Sequence, residues 1–284
     1  MPEGHTLHRL ADDLRERFAG RAVRAWSPQG RFADAAALLD GTALLDAQAW
    51  GKQLFIEFDG SRYVQVHLGL IGSFQLADGP APPPQGQVRL RLETTSAPSS
   101  YGDLRGATVC ALVTDDQRQA ILHKLGPDPL RDDADPAAAW ARIHRSKKSI
   151  GALLMDQAVL AGVGNVYRAE LLYRHRMDPH RPGNTLRRGR FEAMWEDLVT
   201  LMGEGVRTGR IDTVRPEHTP EAMGRPPRAD DHGGEVYVYR RHTQPCLVCG
   251  ATVRTEMLEG RNLFWCPRCQ PRFRSRATGS HARR

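Results

Sequence analysis

The stretch CLVCGATVRTEMLEGRNLFWCPRC, residues 246–269, carries the most specific pattern in this sequence. It contains two Cys-x-x-Cys pairs, Cys246 with Cys249 and Cys266 with Cys269, which are separated by sixteen residues. Pairs at this spacing are typical of a tetrahedral Zn²⁺ site with four thiolate ligands. Because protein would fill all four positions, we expect one structural zinc ion. A redox-active cysteine pair is the alternative.

The residues between the two pairs predict a β-hairpin that displays a basic side chain. Glu259 and Gly260 mark the turn, which places Arg261 at or beside the tip. A single arginine in such a place is commonly only a solvated surface charge. The fifth cysteine, Cys110, lies in the apolar run ATVCALV (107–113) and is expected to be a buried, inert thiol.

The composition of the 284 residues favours a folded protein with a polyanionic partner. Hydrophobic residues make up 40%, which supports real cores and argues against a disordered chain. The net charge of +7 and the pI of about 9.5 favour nucleic acid as the partner, with an anionic membrane as the second candidate. We find no signal-peptide pattern and no apolar run of roughly 20 residues, so we expect a soluble cytoplasmic protein.

Hydrophobic periodicity predicts a first part of the chain that is rich in β-strands. One helix is expected from His5 to Phe18, where the apolar residues follow helical spacing, and strand patterns then continue to about residue 114. LFIEF (54–58) and RYVQVHL (62–68) flank a predicted turn, and VRLRL (88–92) alternates between apolar and basic residues.

The second part of the chain has helical patterns. GPDPLRDDADP (126–136) is rich in proline and aspartate and predicts a domain boundary. Asp135, which precedes a proline, and Ser149 are predicted to begin helices, Asn165 is predicted to cap a third, and a fourth has its apolar face between Phe191 and Met202.

A Gly-x-Gly turn in AGVGNVY (161–167) precedes the helix that Asn165 is predicted to cap. The free backbone N–H groups of such a turn, together with the helix dipole, suit a phosphate. An ordinary capped corner between two helices is the alternative. RSKK (145–148) adds positive charge beside the same helices. Residues 208–235 have no periodicity and predict a long loop that is either functional or disordered.

The chain begins MPEGHT, and this opening admits a chemical interpretation as well as that of a frayed terminus. If Met1 is removed, Pro2 presents a secondary amine, and an α-amino group titrates near pH 8 in model peptides. Its attack on a carbonyl-like carbon would give an iminium, and Glu3 could move the protons. Lys52, just before an apolar strand, is uninformative by itself.

Taken together, these motifs resemble those of one protein family. They are MPEG (1–4), Gly51 with Lys52 before a strand, AGVGN (161–165), and the paired cysteines with GRNLFWC (260–266). In this order they resemble the formamidopyrimidine-DNA glycosylase and endonuclease VIII family of base-excision repair enzymes. The resemblance extends from residue 1 to about residue 270, and within the family the chain looks most like the endonuclease VIII-type enzymes of actinobacteria.

The resemblance implies both a fold and a partner. The expected parts are an N-terminal β-sandwich with an N-terminal helix (1–125), a linker (126–136), a helix–two-turn–helix DNA-binding domain with the long loop (137–236), a C-terminal zinc-ribbon hairpin (237–270) and a basic disordered tail (271–284). Family members hold damaged double-stranded DNA in the cleft between their two halves and flip the damaged base out. We expect a monomer without a membrane partner.

The resemblance also implies roles for individual residues. Pro2 attacks the sugar C1′, Glu3 donates and shuttles protons, and β- then δ-elimination cut the strand. Lys52 and Arg261 match the positions that the family uses as proton donors in those steps. The candidates for contact with DNA are Asn165, Arg105, Lys124, Lys147 and Lys148, and Lys52 and Arg261 are also expected to contact phosphates.

Two loops bear on the substrate. Family members specific for oxidised purines have an Arg-Arg-Phe run whose Phe wedges beside the orphaned base. The matching stretch here, DLRGATV (103–109), keeps Arg105 and lacks the Phe. Leu70 and Ile71 of another loop are the wedge candidates, with plain core packing as the alternative. We therefore expect oxidised pyrimidines to be preferred; an oxidised-purine glycosylase and a noncatalytic zinc-ribbon DNA-binding protein are the alternatives.

Overall fold

The structure is a computed structural model that describes residues 2–229 and 234–274. Its contacts divide the chain into two compact units. The first consists of Met1–Ala134 with Met202–Arg210, and the second of Asp135–Leu201 with Ile211–Arg284. In the part of the chain that the structure describes, no helix has both the length and the apolar character that crossing a bilayer requires.

The first unit begins with helix α1 (Gly4–Phe18), which confirms the helix predicted at the N-terminus. Leu7, Leu14 and Phe18 repeat at helical spacing and are almost completely buried in the core of this unit. The chain leaves the helix at Gly20, whose φ of +74° is readily adopted only by glycine. The first two residues before α1, Pro2 and Glu3, are therefore fixed by a well-packed element.

Eight antiparallel strands follow, and they are joined side by side. They are β1 (Arg21–Trp26), β2 (Ala43–Trp50), β3 (Gln53–Phe58), β4 (Arg62–His67), β5 (Ser73–Asp78), β6 (Val88–Thr94), β7 (Ser100–Arg105) and β8 (Val109–Val113), with a short helix α2 (Ala33–Ala37) after β1. The strand order is β5-β7-β6-β1-β2-β3-β4-β8.

Strand β1 links the two halves of this sheet. Its first residues pair with β2 and its remaining residues pair with β6. Apolar side chains from both halves and from α1 form one continuous core. This arrangement confirms the predicted sandwich, and the predicted hairpin of β3 and β4 is also present. Helix α3 (Asp115–Leu122) follows β8 and begins with a capping box at Thr114.

Strand β6 departs from simple alternation. Val88, Leu90 and Leu92 are buried, as predicted, but Arg91 on the opposite face is buried as well. Its guanidinium donates two hydrogen bonds, of 2.6 and 2.7 Å, to the carboxylate of Asp103 on β7. The bidentate ion pair allows an arginine to occupy a buried position.

The second unit contains helices α4 (Pro136–His144), α5 (Ile150–Leu153), α6 (Asn165–Arg174) and α7 (Arg188–Thr208), although the last turns of α7 belong to the first unit. Asp135 caps α4 and Ser149 caps α5, as predicted. Helix α5 has only four residues, although the apolar stretch SIGALLMDQAVLA (149–161) favours a longer helix from Ser149. After it, Gln157 hydrogen-bonds the backbone at Gly162 and Val163, which competes with helix formation.

The segment after α7 is mostly irregular, with one short 3₁₀ turn (Pro216–His218) and helix α8 (Pro220–Met223). The carboxylate of Glu170 on α6 holds both ends of this segment. It accepts hydrogen bonds from the Thr213 hydroxyl at 2.6 Å and from the backbone N–H groups of residues 237–239 at 2.6–2.8 Å. Residues 230–233 of the predicted loop lie outside the described residues.

The chain then forms the predicted hairpin from β9 (Arg254–Leu258) and β10 (Arg261–Trp265). Its turn residues Glu259 and Gly260 both have positive φ, +48° and +70°, as a tight two-residue hairpin turn requires. Of the predicted basic tail, residues 275–284 lie outside the described part of the chain.

Candidate active site and nucleic-acid interface

The N-terminal residues Pro2 and Glu3 lie at the start of α1. Glu3 has extended backbone angles and occupies the position just before the helix, and its side chain is fully buried. The N-terminus of a helix carries partial positive charge, which stabilises a nearby carboxylate. Burial and nearby positive charge, including that of the chain terminus, lower the pKa of His5 to about 4. The histidine is therefore neutral at physiological pH.

Lys52 lies in the tight turn between β2 and β3. Trp50 pairs with Gln53, so Gly51 and Lys52 alone form the hairpin loop. Gly51 has a φ of +57°, which a glycine at the first loop position adopts without strain. The ring Nδ1 of His67 donates a hydrogen bond of 2.8 Å to the carbonyl oxygen of Lys52. A residue of the neighbouring strand β4 thus helps to fix the conformation of the turn.

The buried carboxylate of Asp128, which no local sequence motif marks, fixes the same turn. Asp128 Oδ2 accepts hydrogen bonds from the backbone N–H of Gly51 at 2.6 Å and from Nε2 of His8 at 2.7 Å. Asp128 lies in GPDPL (126–130), within the stretch whose composition predicts only a linker. The only feature of the sequence that distinguishes Asp128 from the other aspartates of this stretch is its position between Pro127 and Pro129.

The loop between β4 and β5 presents two apolar side chains to solvent. Leu70 is 54% exposed and Ile71 is 87% exposed, which excludes plain core packing for both. The loop closes through a hydrogen bond from the Gly72 N–H to the Leu68 carbonyl at 3.1 Å. This placement suits a residue that enters a base stack.

The other candidates in the first unit differ in their surroundings. The guanidinium of Arg105 donates to Asp103 at 2.7 Å and to the carbonyl of Gln85 at 3.1 Å, so it is tied to its own domain. These contacts give no support to a role for Arg105 in DNA binding. Lys124, just after α3, is exposed.

In the second unit, the helix predicted to be capped by Asn165 starts differently. Gly164 is the residue before the helix and Asn165 is its first residue, so its side chain is not a cap. Its Nδ2 instead donates a hydrogen bond of 2.9 Å to the carbonyl of Asn262 on β10, and Arg168 donates to the same carbonyl at 3.0 Å. The start of α6 is therefore joined directly to the tip of the hairpin.

Two predicted cations of this unit line one cavity. Lys148 and Arg261 border a cavity of about 370 Å³, together with Asp156 and Glu259. Both cationic residues are exposed, as is Lys147 beside them. Two exposed cations on one cavity are suited to contact phosphate oxygens.

The four cysteines, two before β9 and two after β10, lie close together. Their sulfur atoms all lie within 4.8 Å of one another, with 3.8 Å between Cys246 and Cys269 and 3.4 Å between Cys249 and Cys266. Zinc–sulfur bonds of about 2.3 Å in a tetrahedron require sulfur separations of about 3.8 Å. The donor set therefore fits a closed structural zinc site, and these distances favour it over a redox pair.

A tyrosine on α6, also not predicted, contacts this cluster. The Tyr173 hydroxyl lies 3.1 Å from the sulfur of Cys246 and 3.7 Å from that of Cys269. Burial raises the pKa of the Cys246 thiol, but hydrogen bonds from Tyr173 and from backbone N–H groups outweigh it and bring this pKa to about 7. Hydrogen bonds of this kind orient and tune metal ligands.

Comparison with known proteins identifies the family. Residues 1–110 match the formamidopyrimidine-DNA glycosylase N-terminal domain, residues 125–216 its H2TH domain, and residues 244–272 a zinc finger found in FPG and IleRS. Endonuclease 8 1 of Mycobacterium tuberculosis is 54% identical over 275 residues, which cover 95% of this chain and 100% of that protein. The chain belongs to the formamidopyrimidine-DNA glycosylase and endonuclease VIII family.

Solved structures of the family have the same fold. The MutM (FPG) protein of Thermus thermophilus superposes with a TM-score of 0.71 at 27% identity and covers 95% of this chain and 98% of its own. Lactococcus lactis Fpg, in complex with DNA containing N7-benzyl-Fapy-dG, gives a TM-score of 0.75 at 22% identity, with 95% and 100% covered. The chain is thus a DNA glycosylase and abasic-site lyase of base-excision repair, and the noncatalytic alternative is set aside.

Proposed function

We propose that this enzyme excises oxidised pyrimidines from double-stranded DNA with Pro2 as its nucleophile and then cuts the strand. The observation that carries the proposal is the placement of Pro2 and a buried Glu3 at the positive end of α1. A secondary amine there can attack a sugar carbon, and a carboxyl group beside it can exchange protons. The relatives named Endonuclease 8 1 support this assignment.

The proposed reaction has three steps. In the first step, Glu3 takes a proton from the Pro2 nitrogen, the nitrogen attacks C1′, and the base departs with the proton that Glu3 now carries. The sugar ring then opens: the C1′–O4′ bond breaks and O4′ takes up the remaining proton of the Pro2 nitrogen, which gives the iminium. The resulting iminium acidifies the C2′ proton, whose loss expels the 3′ phosphate, and a second elimination expels the 5′ phosphate. Lys52 donates protons in the eliminations, while Arg261, whose guanidinium stays charged, donates hydrogen bonds to phosphate oxygens.

We further propose that phosphates of the damaged strand bind at Asn165, Lys148 and Arg261. Asn165 is hydrogen-bonded to Asn262 of the hairpin, and Lys148 and Arg261 line one cavity. One zinc ion, held by the four cysteines, serves to keep the hairpin folded and takes no part in the chemistry. We place the enzyme, as a monomer, on the nucleoid in the bacterial cytoplasm, because its substrate is genomic DNA.

The preference for oxidised pyrimidines rests on the loops that would enter the base stack. Stretch 103–109 lacks an aromatic wedge, and its Arg105 is tied to Asp103 and Gln85. The exposed Leu70 and Ile71 remain as the residues that fill the space left by the flipped base. The oxidised-purine alternative would need a wedge that this stretch does not offer.

A lesion panel tests this preference. We expect base release from duplexes containing 5-hydroxyuracil or thymine glycol to be at least about tenfold faster than from 8-oxoguanine, a difference of about 1.4 kcal/mol in activation free energy. The rates are measured in single turnover at saturating enzyme. Faster release of 8-oxoguanine would show that the enzyme prefers oxidised purines.

The phosphate contact of Arg261 gives a prediction for binding. We expect Arg261→Ala to lower affinity for lesion DNA and to reduce the slope of log affinity against log salt by about one. Fluorescence anisotropy between low and moderate salt measures this slope. Arg188→Ala is the matched control, because Arg188 is exposed and pairs with Glu192 at 2.9 Å. An unchanged slope for Arg261→Ala would place that residue away from the DNA.

A further inference from the structure

Asp128 occupies a position with no obvious need for a charge. Its side chain is completely buried, and its two oxygens accept three hydrogen bonds. Oδ2 accepts from Gly51 N–H and from His8 Nε2, and Oδ1 accepts from the Leu130 N–H at 3.0 Å. A buried carboxylate with this many donors is costly to remove, because each donor would be left unsatisfied.

The contact with Gly51 explains why the turn is well defined. In a two-residue hairpin loop, the N–H of the first loop residue points away from the ladder and has no partner within the hairpin. Asp128 accepts this N–H at 2.6 Å, from a segment 77 residues further along the chain. Loss of the contact would free the backbone of Gly51 and thus the orientation of Lys52.

The contact with His8 connects the same carboxylate to α1. His8 lies on the helix that begins directly after Pro2 and Glu3, and its ring bonds Asp128 across 120 residues of sequence. The helix itself is held by its buried apolar residues, such as Leu7 and Leu14. Asp128 therefore connects the turn between β2 and β3 to helix α1.

We propose that Asp128 is a positioning residue for strand cutting, which holds the turn bearing Lys52 against the helix bearing Pro2 and Glu3. The proposal rests on the proposed role of Lys52 in the elimination steps. Asp128 touches neither DNA nor the reacting atoms in this assignment. It acts by fixing the geometry between the iminium formed on Pro2 and the ammonium group of Lys52.

The central experiment uses Asp128→Asn. The amide NH₂ must face either the Leu130 N–H or the Gly51 N–H, and a neutral amide oxygen accepts more weakly than a carboxylate oxygen, so the bond to Gly51 is weakened or lost while the side-chain volume is kept. On a preformed abasic site, we expect borohydride trapping within about threefold of the unaltered protein and strand cutting slower by about ten- to a hundredfold. Asp128→Glu, which keeps the charge, is expected to recover part of the cutting rate. Equal losses in trapping and cutting would overturn the proposal.

The matched control is Asp132→Asn, an exposed carboxylate of the same segment. We expect both of its rates to be unchanged, which shows that a lost charge in this segment is not by itself the cause. A loss of cutting in Asp132→Asn as large as in Asp128→Asn would count against a specific role for Asp128.

A double-mutant cycle separates positioning from general support of the fold. If Asp128 acts through Lys52, Asp128→Asn should slow cutting no further in a protein that already carries Lys52→Ala. If the two substitutions instead reduce the cutting rate independently, so that their fold-losses multiply in the double variant, the positioning role of Asp128 is overturned and the role of Lys52 is not. If Lys52→Ala by itself cuts at the normal rate, the proposed role of Lys52 fails, and the inference about Asp128 fails with it.

A second pair of variants covers the case in which Asp128→Asn does not fold. His8→Gln keeps an N–H donor for the carboxylate, whereas His8→Leu removes it from a side chain that is only 16% exposed. We expect His8→Leu to cut several-fold more slowly than His8→Gln with equal trapping. Equal cutting by the two folded variants would contradict the proposed link through α1.

Discussion

A form of this enzyme that keeps any residue ahead of Pro2 is expected to bind lesion-containing DNA and to leave it uncut. An acylated proline nitrogen is a tertiary amide, whose lone pair is delocalised, so the nucleophile is lost. We expect base release and strand cutting to fall by at least about 10³-fold, the scale seen when a covalent nucleophile is removed. The residues of the second unit that we propose to bind phosphate are unaffected by this change.

Borohydride trapping and strand cutting on an abasic duplex measure the effect, with the state of the N-terminus established by mass spectrometry. Anisotropy on a duplex with a non-reactive abasic analogue shows that binding is kept. The control variant is Pro2→Gly, which presents a primary amine and should slow trapping without abolishing it. An extended protein that still forms the covalent adduct would remove Pro2 from the mechanism.

Loss of the metal site is expected to have the next largest effect. The hairpin of β9 and β10 is a two-stranded sheet whose first strand is mostly exposed, and an isolated hairpin is marginally stable in water. Structural zinc supplies about 10–16 kcal/mol of apparent binding free energy in small zinc domains. In Cys266→Ser we therefore expect the hairpin to unfold, Arg261 to lose its place and DNA affinity to fall at least about a hundredfold.

Metal analysis should find close to one zinc per unaltered chain and far less in Cys266→Ser. The matched control is Cys110→Ala, the fifth cysteine, which lies on β8 of the other unit; burial raises the pKa of its thiol to about 12. This control should keep both zinc and DNA affinity. A Cys266→Ser protein that binds DNA normally would show that the hairpin folds without its metal.

Features that depend on neighbours in the sequence could be predicted well. The cysteine spacing and the Glu259–Gly260 turn indicated the hairpin, and the apolar spacing indicated α1, because each follows from local geometry. The same is true of the helix starts at Asp135 and Ser149. Lys52 was uninformative as a residue type, and only its place among other motifs made it a candidate.

Features that depend on distant partners could not be predicted. Asp128 looked like part of a proline-rich linker, since its bonds to His8 and Gly51 form only after the sheet has brought these residues together. Asn165 matched the preference for a cap, yet its amide bonds the carbonyl of Asn262, 97 residues away. Tyr173 lies among the buried residues of α6, and nothing in its spacing along the sequence points to the cysteines.

The hydrogen bonds of Glu170 to Thr213 and to residues 237–239 affect which sequence changes this protein can tolerate during evolution. Because the Glu170 carboxylate bonds the chain at residue 213 and again at residues 237–239, the two ends of the intervening segment are held close together. Doubling the length of such a loop costs only about 0.6 kcal/mol in closure entropy. Insertions and deletions in this stretch can therefore accumulate without disturbing helices α6 and α7 or the cluster of four cysteines.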